Sequence, residues 1–115
     1  MREERVRVAE SPARARAIML DPRDTVAVLI EDAGAGARIV LQGDGSAGGP
    51  ADLIAAEAIP YGHKVAVRPM EAGDPVIKYG EKMGIARARI DVGRHVHVHN
   101  VRGLNTEERS VSARG

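Results

Sequence analysis

One four-residue device punctuates the second half of the chain. Ile59-Pro60-Tyr61-Gly62, Met70-Glu71-Ala72-Gly73 and Ile90-Asp91-Val92-Gly93 each put an apolar residue three positions before a glycine. A run of strand character follows each one within a few residues, at 63–67, 75–77 and 94–99. Glycine supplies the positive φ of a tight turn, and the apolar residue anchors that turn in a core. A chain that turns this often leaves little room for helices. The pattern predicts an all-β fold of short, sharply bent strands with at most one or two short helices.

The first half supports the same reading. Residues 17–20 make a short apolar start, closed by the turn residues Asp21-Pro22-Arg23-Asp24. Residues 25–31 and 37–42 read as two strands joined by the Gly-rich turn 32–36, that is, as a hairpin. Residues 43–50 form a Gly-rich loop. It lacks the Lys and Ser/Thr of a phosphate-binding loop, which leaves a surface loop or a lid over a site. Residues 51–58 read as a strand, with a short helix capped by Asp52 as the other choice, and 85–90 as a further half-exposed strand.

With 115 residues, the chain is one domain by size. It has no Phe and no Trp, so Val, Ile, Leu and Ala must fill the core, and the β-branched members favour strands. There is no Cys, which excludes thiolate metal ligands and suits a reducing cytoplasm. A net charge of +1 argues against a nucleic-acid partner. No apolar run approaches the ~20 residues of a membrane span, and the charged N-terminus lacks a secretory h-region. Residues 1–16 and 105–115 read as loosely ordered arms flanking a domain at 17–104.

All four histidines lie in the second half. His95, His97 and His99 alternate with Val96 and Val98, so in a strand the three imidazoles share one face. Same-face neighbours lie about 6.5–7 Å apart, close enough for two rings to tilt onto one metal ion. Imidazole with oxygen ligands suits Fe(II), Mn(II) or Zn(II). Two ligands suffice, which leaves His95 open as a bystander. His63 is either a structural hydrogen-bonder or a proton carrier. Lys64, and Lys78 in the polar turn Lys78-Tyr79-Gly80-Glu81, are either surface charges or anion ligands. Asn100 directly follows the histidine run and is placed to orient a ligand or substrate.

Five segments in order now carry a resemblance: Ile59-Pro-Tyr-Gly-His-Lys64, Gly73-x-Pro-Val-Ile-Lys-Tyr-Gly-Glu81, Ile85-Ala86, Ile90-x-x-Gly93 and Val96-His-Val-His-Asn100. Over residues 17–104 the chain resembles the SAF-type N-terminal domain of altronate and galactarate dehydratases. The resemblance implies a β-clip fold, as in type III antifreeze proteins. It also implies β-elimination of water from a sugar acid or hydroxy acid, giving a 2-keto acid. A divalent metal, Fe(II) or Mn(II) before Zn(II), is implied, with His97 and His99 as its ligands. Lys64, Lys78 and Asn100 are the implied substrate contacts, and His63 a proton-transfer residue. With no large second domain in the 115 residues, the resemblance implies a small subunit that acts with a separately encoded large dehydratase subunit. Homo-oligomerisation stays open. The competing reading is a stand-alone SAF-type module that binds a small acid, sugar or metal without catalysis.

Overall fold

A computed structural model describes residues 13–46 and 52–109. The strands are β1 (Arg14–Ile18), β2 (Val26–Leu29), β3 (Arg38–Gln42), β4 (Leu53–Ile54), β5 (Lys64–Ala66), β6 (Pro75–Lys78), β7 (Glu81–Ala86), β8 (His95–Val96) and β9 (Val101–Gly103). A 3-10 turn, Asp44–Ser46, follows β3. The all-β expectation holds. Six strands form one sheet in the order β4-β3-β1-β2-β5-β8, and β6-β7-β9 form a second.

The expected hairpin between the second and third strands does not form. β1 lies between them, antiparallel to β2 and parallel to β3. The connecting residues are pinned elsewhere: Ala33 bridges Ile59, and the Gly36 amide donates to the Ala55 carbonyl. Strand pairing also begins three residues earlier than the expected domain start, because Arg14 and Ala15 pair with Arg38 and Ile39. Ala15 is fully buried in this pairing.

Among the described residues four such Gly turns form, and they work in pairs. Ala33-Gly34-Ala35-Gly36 repeats the device in the first half, with Ala in place of the larger apolar residue. Ala33 bridges Ile59 and Met70 bridges Ile90, through two reciprocal backbone hydrogen bonds in each case. In all four turns the glycine has positive φ, between 84° and 95°. The residue after it donates its amide to the carbonyl three positions back. Three of the four anchors are large apolar side chains at 0–2% exposure. The predicted strand over 85–90 ends at Ala86 for this reason, since Ile90 is drawn into the bridge with Met70.

β2 and β5 divide two cores. Ala27, Leu29, Val65 and Val67 join the larger cluster with Met19, Ile39 and Ile59. Val26 and Ala66 point to the other side and join Met70, Val76, Ile90 and Val96. Strand alternation sends successive side chains to opposite faces, so one pair of strands serves both clusters. Past β9, within the expected loose tail, residues 106–109 make one helical turn. Asn105 and Glu108 cap it by accepting each other's backbone amides, and Glu108 takes two hydrogen bonds from Arg102. Residues 1–12, 47–51 and 110–115 lie outside the described residues, including the second half of the Gly-rich loop.

Candidate functional site

The histidine-rich segment is not one strand. β8 ends at Val96, and the amides of Asn100 and Val101 both donate to the His97 carbonyl, closing a turn. The three imidazoles of the run therefore do not share one strand face. The rings gather by another route. His63 ends the Ile59 turn just before β5, and Val65 of β5 pairs with His95 of β8 at the edge of the large sheet. This brings His63 Nδ1 to 2.8 Å from His95 Nε2. The His97 ring folds back to 4.8 Å from the His63 ring and lies nearly parallel to His95, at 5.3 Å and 19°.

One ring nitrogen from each of His63, His95 and His97 lies within 4.8 Å of the others. His99 stands outside this group, with its ring 5.6 Å from that of His95. The geometry thus joins His95, which the sequence leaves open as a bystander, and the proton-transfer candidate His63 to His97, with His99 outside the group. Burial, and then the neighbouring imidazoles, push the His95 pKa down from its ordinary value. That favours the neutral ring with a free lone pair.

Two residues set the histidine loop. The Asn100 carboxamide is used at both ends: it donates to the His95 carbonyl at 2.9 Å and accepts the His97 amide at 2.9 Å. Expected at a substrate, Asn100 here braces the turn. Glu57 accepts the His95 amide and pairs with Arg94, fixing the start of β8. Glu57 lies 38 residues from His95 and shares no local pattern with it, so no sequence signal marks it.

Beside the rings lies an open cavity of about 290 Å³. Its walls include Lys64, Val96 and His97 on one side and Met83 and Val101 on the other. A β-bulge explains Met83. Val76 pairs with Gly84 and Ile77 with Lys82, so Met83 is the extra residue and its side chain turns toward the cavity. Burial, and next the charge of Lys78, lower the Lys64 pKa. Among the described residues no ion pair engages either lysine. Lys64, without a counter-ion at the wall of an apolar hollow and with the charge of Lys78 acting on it, suits an anionic ligand. Lys78 belongs to a tight turn whose Tyr79 and Gly80 both have positive φ. The turn docks on the buried Asp24 carboxylate, which accepts the Gly80 amide at 2.8 Å.

Fold and site together define a small all-β domain that clusters imidazoles at the β5–β8 edge of its large sheet, beside a cavity lined by Lys64. Residues 15–104 match the family model of the altronate/galactarate dehydratase SAF domain, and the chain belongs to that family. It is 52% identical over 48 residues to the (2R)-sulfolactate sulfo-lyase subunit alpha of Paracoccus pantotrophus, covering 42% of this chain and 72% of the relative. The subunit of the same name from Chromohalobacter salexigens is 48% identical over 46 residues, 40% of this chain and 49% of that protein. The altronate dehydratase of Bacillus subtilis is 29% identical over 85 residues, which cover 74% of this chain and 16% of that enzyme. No helix among the described residues is long and apolar enough to cross a membrane.

Proposed function

We propose that this chain is the small subunit of a lyase acting on a 2-hydroxy acid, working with a separate larger subunit in the cytoplasm. The observation that carries the reading is the imidazole cluster beside the unpaired Lys64, in a domain of a dehydratase family. Among hydroxy acids, the similarity favours sulfolactate over a sugar acid. The two sulfo-lyase alpha subunits are 52% and 48% identical to this chain over the matched segment, against 29% for the altronate dehydratase. The chemistry then differs from the dehydration first expected in its leaving group. A base takes the proton from the carbon bearing the hydroxyl and carboxylate. The electron pair forms a C=C bond, the adjacent C–S bond breaks, sulfite departs, and the enol becomes a 2-keto acid. With a sugar acid the same steps expel water, on protonation of the leaving hydroxyl.

The chain's residues divide this work. Lys64, with Lys78 behind it, holds the substrate carboxylate and faces the negative charge that builds up as the proton leaves. His63 serves within the imidazole cluster and not as a proton carrier, which leaves the base to the larger subunit. Asn100 and Glu57 hold the histidine loop in register. The three imidazoles suit a divalent metal, Fe(II), Mn(II) or Zn(II), which when bound supplies Lewis acidity toward the substrate's oxygens. The altronate dehydratase match covers 16% of a longer chain, which suits a small part working with a large one.

The test is co-expression with a large dehydratase-type subunit taken from a neighbouring reading frame, followed by assays for 2-keto acid and sulfite with sulfolactate, altronate and galactarate. The pair should release both products from sulfolactate, and the small chain alone should show no turnover. Lys64→Met should lower kcat/KM by about 100-fold, roughly 2.7 kcal/mol of transition-state stabilisation, while the two chains still co-purify. A pair that assembles and turns over none of the three acids would refute the reading in favour of a binding module.

A further inference from the structure

The ring geometry points to a binding site that is complete on this chain. We propose that His63, His95 and His97 bind one divalent transition-metal ion without a second subunit, and that His99 is not a ligand. Its use in catalysis rests on the lyase reading above, while the binding itself rests on geometry alone. The three ring nitrogens lie within 4.8 Å of one another. Tetrahedral nitrogen ligands at ~2.1 Å from a metal lie roughly 3.4 Å apart. The His63–His95 pair, at 2.8 Å, is already inside that range. The widest pair has about 1.4 Å to close, within reach of side-chain rotation at exposed or half-buried rings.

The surroundings fit the same role. In the His63–His95 contact a single proton bridges two nitrogens, and a metal ion takes the place of that proton. The His97 ring has no hydrogen-bond partner among the described residues, so its lone pair is uncommitted, although its backbone is fixed by Asn100. Backbone contacts hold all three ligands before any ion arrives. His63 sits between the Pro60 and Leu29 hydrogen bonds, His95 is tied to Glu57, and His97 to Asn100. Such outer contacts are what orient metal-binding histidines. Three imidazoles from one side leave the remaining coordination positions open, as in catalytic rather than structural sites. A donor set of three neutral nitrogens selects against Mg(II) and Ca(II), and among transition metals it places Mn(II) below Fe(II) and Zn(II).

The test uses the full 115-residue chain, stripped of metal with a chelator. Co(II) is titrated while its visible d–d absorption is followed, and Zn(II) is titrated against a chromophoric chelator. One ion per chain should bind, in the order Zn(II), Fe(II), Mn(II), with no response to Mg(II). His63→Ala, His95→Ala and His97→Ala should each weaken Zn(II) binding by about 100-fold or more, at or beyond the loss seen for outer-shell changes. His99→Ala should stay within about threefold of the parent. Circular dichroism of each variant separates lost ligands from lost fold. Absence of Zn(II) binding at 100-fold excess over the chain would reduce the cluster to a hydrogen-bonded polar rim and overturn the proposal. So would His95→Ala binding like the parent, or His99→Ala losing the site. None of these outcomes depends on turnover, so the lyase reading stands or falls separately.

Discussion

Asp24 shows how one residue ties together parts distant in sequence. It is fully buried and sits in the turn before β2. Its Oδ1 accepts the Gly80 amide at 2.8 Å, and its Oδ2 the Asp21 amide at 3.3 Å. The Asp24 carbonyl also accepts Arg68 Nε at 3.1 Å. A buried carboxylate is tolerated when such donors satisfy it, and its removal leaves the donors unpaired. Asp24→Ala should therefore destabilise the fold by about 2–3 kcal/mol, measured as a shift in the urea midpoint. A neutral result would mean that the Lys78–Glu81 turn does not depend on this dock. The turn chemistry of Asp24 is legible in its immediate neighbours Asp21, Pro22 and Arg23. Its role as a receptor for a turn 56 residues away lay beyond any local pattern.

At the level of elements, the paired Gly turns are the framework on which the strands hang. Gly93 is the most constrained of them. Its φ is +92°, and a Cβ there would run into the Ile54 carbonyl oxygen. The Ala56 amide also donates to the Gly93 carbonyl, binding this turn to the β4 region. Gly93→Ala combines a left-handed backbone cost with a clash against main chain, which cannot rotate away. The expected loss is about 2–3 kcal/mol of stability, by denaturant unfolding. Because β8 starts two residues later, the same change should broaden or shift the His95 ring resonances in NMR spectra. Gly62→Ala makes a useful comparison, since nothing lies within 4 Å of its absent side chain. It should cost about 1 kcal/mol, from the backbone conformation alone.

At the scale of the whole molecule, two apolar clusters share one structural wall. Val26 and Val65 are both fully buried, on neighbouring strands, and point into different clusters. If the clusters were independent, each substitution would destabilise one part and leave the other. The shared strands argue for a single cooperative unit. Val26→Ala and Val65→Ala should each lower stability by about 2 kcal/mol, in one transition that coincides by circular dichroism and by NMR signals from both clusters. Two separated transitions would show that β2 and β5 do not couple them.

Sequence alone determined what depends on short-range rules. Gly turns with apolar anchors, and a core limited to aliphatic residues, required short strands, and the fold class followed. The segments of the family motif also gathered the chemistry-bearing residues into a short list that contains the site. Tertiary structure decided what depends on residues far apart. The β1–β3 pairing displaced the expected hairpin, because the linker after β2 is held by Ile59 and Ala55. Alternation along one strand puts His95, His97 and His99 on one face, and that face does not form because the Asn100 carboxamide closes a turn where the strand would continue. His63 and His95, 32 residues apart, meet because β5 and β8 pair at the sheet edge. Periodicity describes one element at a time, whereas a cluster built from two turns and a strand edge is set by the hydrogen bonds that bring those elements together.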